Sequence, residues 1–198
     1  GAAISTGDCN TAVGKDALDA STTASYNTAI GFNSLTTNTS GNVNTAVGMG
    51  SAQQNTEGTN LVAVGARALE QNTTGSCNTA LGKNSLLCNT TASYNTAAGF
   101  ASLCANTTGS CNVAVGGSAG TAVTTGAFNT AIGGLALESN TTAGNNTAIG
   151  GAALRCTTTG CENTSVGSGS MAANLTGDNN TAVGRYALNA NTSADNNT

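Results

Sequence analysis

The stretch NTAIGGLALESNTTAGN at residues 129–145 runs without a break into NTAIGGAALRCTTTGCE at residues 146–162, and the second copies the first at a spacing of 17. Working outward in both directions, the same frame opens at Asn10, Asn27, Asn44, Leu61, Asn78, Asn95, Asn112, Asn129, Asn146, Asn163 and Asn180. These are 11 consecutive units with no insertion or deletion, and residues 1–198 read as a single array with partial units at its ends. With the Asn as phase 1, the consensus is N-T-A-V/I-G-x-x-A/S-L-x-x-N-T-T-G/A-S-x. Phase 5 is Gly in every unit, from Gly14 to Gly184, and phase 8 is always Ala or Ser, from Ala17 to Ala187. Phase 4 is aliphatic throughout, from Val13 and Ile30 to Val183, whereas phases 6, 7, 10 and 11 accept residues as different as Lys15, Phe32 and Leu135.

An unbroken array whose units meet only their neighbours is the mark of a stacked solenoid. The coil is β rather than α: Asn, Thr and Gly disfavour helix, while Thr-Ala-Val-Gly suits a short strand ending in a bend. The fold class that follows is all-β, a parallel β-roll with one rung per repeat. Strand one is expected at phases 1–4, a bend at the phase-5 Gly, strand two near phases 8–11, and a turn at Asn-Thr-Thr-Gly. Rungs stacked about 4.8 Å apart make a rod on the order of 50–55 Å long. Phases 4 and 9, the latter Leu18, Leu35, Leu69, Leu86, Leu103, Leu137, Leu154 and Leu188, are expected to point into the coil. Two sizeable apolar side chains per rung make a thin core that gains from packing against another chain. The all-small phases 3 and 8 are candidate contact faces; alternatively they fit a flattened interior.

Units such as NTAIGFNSLTTNTSGNV at residues 27–43 and NTAIGGLALESNTTAGN at residues 129–145 resemble the NTAIG-type arrays of tail-fibre-like proteins from phages, bacteria and algal viruses. More distantly, the V/I-A-I-G rung is similar to the head repeats of YadA-like trimeric adhesins. The resemblance implies a β-roll, left-handed and packed three to a bundle in the adhesins, and it carries over no catalytic residue.

Composition narrows the chemistry. There is no His, only 5 Lys and Arg, and a net charge of −4, which exclude imidazole catalysis, zinc–histidine sites and a basic nucleic-acid footprint. No run approaches the roughly 18 apolar residues of a membrane span, so no membrane insertion is expected. Neither a cofactor nor a metal is called for. Asp178 and Asp195 share phase 16 on successive rungs and read as solvated turn residues in preference to a carboxylate pair. Tyr26, Tyr94 and Phe128 at phase 17, with Phe32 and Phe100 at phase 6, read as rim filling between chains.

Seven Cys in an Asn- and Thr-rich array suggest disulfides. Cys104 and Cys111, and likewise Cys156 and Cys161, bracket the Asn-Thr-Thr-Gly turn symmetrically, as a hairpin-like corner would require. Cys77 and Cys88 are a third candidate pair, and Cys9 is left over as a candidate link between subunits. Asn at phase 1 is expected to form internal amide ladders. At phase 12, ladder and sugar compete: Asn38, Asn72, Asn89, Asn106, Asn140, Asn174 and Asn191 each sit in a glycosylation sequon at the turn.

These readings point to a non-enzymatic structural fibre or shaft segment on a virion or cell surface, extracellular and self-associating end to end or side by side. Units matching the consensus up to both ends favour a longer array or end-to-end subunits. The rivals are a surface adhesin that binds glycans through the variable phases, and an ice-binding solenoid presenting ranks of Thr at phases 2 and 13.

Overall fold

The computed structural model describes residues 6–198. Each repeat supplies one three-residue strand at phases 2–4: β1 (Thr11–Val13), β2 (Thr28–Ile30), β3 (Thr45–Val47), β4 (Val62–Val64), β5 (Thr79–Leu81), β6 (Thr96–Ala98), β7 (Val113–Val115), β8 (Thr130–Ile132), β9 (Thr147–Ile149), β10 (Thr164–Val166) and β11 (Thr181–Val183). They form one parallel sheet in the order β1 to β11, and every pair is in the register of the repeat, as in Ala131↔Ala148. The molecule is therefore an all-β solenoid whose coil advances one rung per repeat.

The second strand expected near phases 8–11 does not form. The chain instead turns through left-handed residues at phases 7, 9 and 17 of each rung. Asn33, Leu35 and Val43 have φ of 55°, 49° and 59°, and the same phases of the next repeats follow suit. The rung closes in 17 residues because three such residues and the phase-5 Gly bend it. Their backbone groups are still paired from rung to rung: the Leu35 N–H donates to the Ser51 carbonyl at 3.0 Å, and the Asn33 N–H donates to the Lys15 carbonyl at 3.1 Å.

Direction along the strand decides the core. Successive residues of a strand face opposite ways, and the Asn at phase 1 is buried, as Asn27 and Asn78 show. Phase 3 is then also inside: Ala29, Ala46, Ala63 and Ala80 are fully buried. Phases 2 and 4 face out, which corrects the expectation for phase 4: Ile132 and Ile149 are each 38% exposed and Leu81 42%. The phase-9 Leu is inside as expected, with Leu35, Leu69, Leu86 and Leu137 fully buried. The core is thus a column of Leu against two columns of Ala or Ser, phases 3 and 8, which serve as interior and not as contact faces.

Candidate functional site

Four columns of side chains run along the rod, and what each hydroxyl or amide binds separates internal scaffolding from surface that remains available. The first is the phase-1 Asn. Its Oδ1 accepts the phase-1 N–H of the next rung, as from Asn112 to Asn95 at 2.9 Å, and its Nδ2 donates to the phase-15 carbonyl of its own unit, as from Asn95 to Gly109 at 2.9 Å. Leu61 interrupts this column.

The second is the phase-12 Asn. Asn55 Nδ2 donates to Asn38 Oδ1 at 2.8 Å, Asn72 to Asn55 at 2.8 Å, Asn89 to Asn72 at 2.7 Å and Asn106 to Asn89 at 3.0 Å. Each of these Nδ2 groups also donates to a phase-15 carbonyl, such as Gly75 for Asn72. The column stops at the buried Val123, which leaves Asn106 Oδ1 without a partner. Of the sequon residues, Asn38, Asn72, Asn89, Asn106, Asn140 and Asn174 are fully buried, and Asn191 is half-buried with its amide on Asn174 and Ala194. The turn that seemed an exposed acceptor is a spine. A fully buried amide nitrogen held on the phase-15 carbonyl of its own turn is out of reach of a glycosylation enzyme while the rung is folded.

Two more columns cap backbone groups. The phase-13 Thr hydroxyl donates to the next rung's phase-13 carbonyl, as Thr56 does to Thr73 at 3.0 Å and Thr124 to Thr141 at 3.0 Å. At phase 16, short polar side chains accept the N–H of the preceding rung: Ser76 from Thr59, Ser93 from Ser76, Asp178 from Cys161 at 2.7 Å and Asp195 from Asp178 at 2.8 Å. Asp178 and Asp195 are therefore caps. No cluster of three or more metal-ligating side chains occurs among the described residues.

The cysteines are all free thiols, Cys9 exposed and the other six half-buried. The pairs expected from phase symmetry are not joined, because the Asn-Thr-Thr-Gly corner belongs to a coil and does not fold back as a hairpin. Cys111 donates its N–H to Ser93 and Cys156 to Ala172, each on an adjacent rung, so the backbone is not paired across the corner. Cys88, set against Cys77 by phase, lies beside Cys104 instead, its N–H on the Cys104 carbonyl at 3.0 Å.

What remains available is the outward face of the sheet. The phase-2 hydroxyls of Thr28, Thr45, Thr79, Thr96, Thr130, Thr147, Thr164 and Thr181 have no partner within the described residues, in contrast to the phase-13 Thr. Alongside them runs the phase-4 column, with Val13, Ile30, Val64, Leu81, Val115, Ile132, Ile149 and Val183 all exposed. Exposed aromatic rings flank the two columns, Tyr26, Tyr94 and Phe128 at phase 17 and Phe32 and Phe100 at phase 6. Charge is sparse on this face: Lys15, Lys83 and Arg185 at phase 6 and Glu162 at phase 17. The sequence pointed to the aromatics as rim residues but turned the aliphatic column inward. A depression on the last rung, lined by Tyr186, Leu188, Asn189, Ala190, Asn191 and Asn197, holds no acid, base or thiol. No family model matches the chain, and comparison with curated proteins and with solved structures gives no significant similarity.

Proposed function

We propose that this chain is a non-enzymatic structural segment, a rigid shaft that self-associates side by side through the outward face of its sheet. The observation that carries the reading is the phase-4 column: a stripe of aliphatic side chains, exposed on 8 of its 11 rungs and half-buried at Val47, Ala98 and Val166, on a sparsely charged face of a rod whose own core is thin. From phase 17 to phase 6 the face is about 20 Å wide and on the order of 50 Å long, so about 1,000 Å². That exceeds the roughly 800 Å² that each partner of a stable complex buries. The apolar part of that face is the phase-4 column with its flanking aromatic rings, and exposed apolar surface that runs continuously along a molecule is associated with interaction sites. The resemblance to fibre-like arrays agrees with this reading, as does the use of nearly every buried polar group to join one rung to the next.

Sedimentation of the purified chain is the test. The expected result is an oligomer that the double variant Ile132→Lys/Ile149→Lys converts to monomer while its circular dichroism is unchanged. A wild-type monomer at micromolar concentration would reject side-by-side assembly.

A second reading draws on the same face. Phase-2 hydroxyls with no internal partner stand beside a rank of methyl groups in a column that only Val62 and Val113 interrupt, a periodic surface suited to ordered water. Thermal hysteresis of the monomeric fraction, lost in Thr130→Lys/Thr147→Lys, would favour ice binding; its absence leaves the face to self-association.

A further inference from the structure

We propose that Cys88 and Cys104 are a paired modification site, an inter-rung dithiol that a low-molecular-weight disulfide oxidises to a covalent staple between successive rungs. Cys88 stands at phase 11 of the unit that opens at Asn78, and Cys104 at phase 10 of the next. The Cys88 N–H donates to the Cys104 carbonyl at 3.0 Å. The 17-residue register stacks Cys88 over Ala105 and Leu87 over Cys104, so the two cysteines are diagonal neighbours joined by this hydrogen bond. A one-residue diagonal between stacked segments puts their Cα atoms about 6 Å apart, inside the span of roughly 4.4–6.8 Å that a disulfide needs. Both side chains are half-buried, so a small reagent reaches them.

The other cysteines lack this relation. Cys77 and Cys111 share phase 17, but the rung of Tyr94 separates them. Cys156 and Cys161 lie on one rung and direct their N–H groups to Ala172 and the Asp178 carboxylate.

The surroundings shape the reactivity. Burial, and next the charge of a neighbouring Cys88 thiolate, push the Cys104 thiol above its ordinary range, while the Arg67 guanidinium partly opposes them. That guanidinium is shared with Glu70, which accepts from Arg67 Nε at 2.6 Å. Because its thiolate is disfavoured, Cys104 is the poorer first attacker. The Cys88 thiolate therefore attacks one sulfur of glutathione disulfide, forming a mixed disulfide and releasing one glutathione thiolate. Cys104 then gives its proton to solvent and attacks the Cys88 sulfur, releasing the second. Two protein thiols are oxidised and one small disulfide is reduced to two thiols.

This site does not depend on the fibre reading. The test is to incubate the folded chain with glutathione disulfide and sequence the unreduced chymotryptic peptides, cut at Tyr94 and Phe100, by mass spectrometry. A Cys88–Cys104 cross-link is expected, forming faster as pH rises because Cys104 must ionise, and lost in Cys88→Ser and in Cys104→Ser, each of which keeps a persistent mixed disulfide on the remaining thiol. A cross-link at Cys104–Cys111 or Cys77–Cys88 in its place, or separate mixed disulfides on Cys88 and Cys104 in the wild type, would overturn the proposal.

Discussion

At Gly133, φ is 127° and an added Cβ would lie 2.6 Å from the carbonyl oxygen of Gly150 on the next rung. Both the backbone angle and the inter-rung approach exclude a side chain, and the phase recurs as Gly in every unit for that reason. Replacing Gly133 with Val is expected to cost about 3 kcal/mol or more, read from denaturant unfolding. The opposite sign is expected at phase 17. Tyr94 holds φ of 62° while 66% exposed, so it bears left-handed strain with little packing in return. Asn tolerates that conformation better, and Asn60, Asn145, Asn179 and Asn196 already occupy the phase at φ of 56–59°. Tyr94→Asn should stabilise by about 0.5–1 kcal/mol in the same measurement. The strict Gly was legible because its alternatives are forbidden. The left-handed Leu, Tyr and Cys were not, because nothing about those side chains announces a positive φ; only the need to close a coil in 17 residues imposes it.

Side-chain ladders add to the backbone bonds that hold neighbouring rungs together. Asn89 illustrates the dependence: it donates to Asn72 at 2.7 Å and to Ala92 at 3.1 Å, and it accepts from Asn106 at 3.0 Å. Asn89→Val removes all three bonds and strands the buried Asn72 Oδ1, which should destabilise the array by about 2–4 kcal/mol by thermal or chemical unfolding. The protein survives one such break at Val123, so the variant is expected to fold. The phase-1 ladder could be anticipated from the recurrence of Asn alone. The same ladder, combined with strand alternation, also fixes phase 4 on the outside: if Asn27 is in, Thr28 is out, Ala29 in and Ile30 out. Hydrophobicity argued the other way for Ile30. Geometry prevailed because a three-residue strand has no freedom to turn two neighbours inward, and Ala leaves just enough space for the Leu column.

For the whole molecule, each rung bonds only to the one before and the one after, so stability is a sum of local terms. Amide exchange should accordingly be slowest in the middle of the array, around Ala97 and Ala114, and progressively faster toward β1 and β11. Uniform protection along the chain would contradict neighbour-only coupling. The rung-to-rung bonds also lie along the rod: Thr130 N–H to Asn146, Leu137 N–H to Ala153 and Gly133 N–H to Val115 all join adjacent levels. A load applied at the two ends therefore meets them one level at a time, as a zipper is opened, and not all together as in a sheet pulled in shear. Each level that gives way frees 17 residues, about 50 Å of slack at some 3.3 Å per residue after the lost rise of about 5 Å is subtracted. Such a shaft would yield gently and lengthen many-fold before the chain is taut, behaving under tension as a shock absorber.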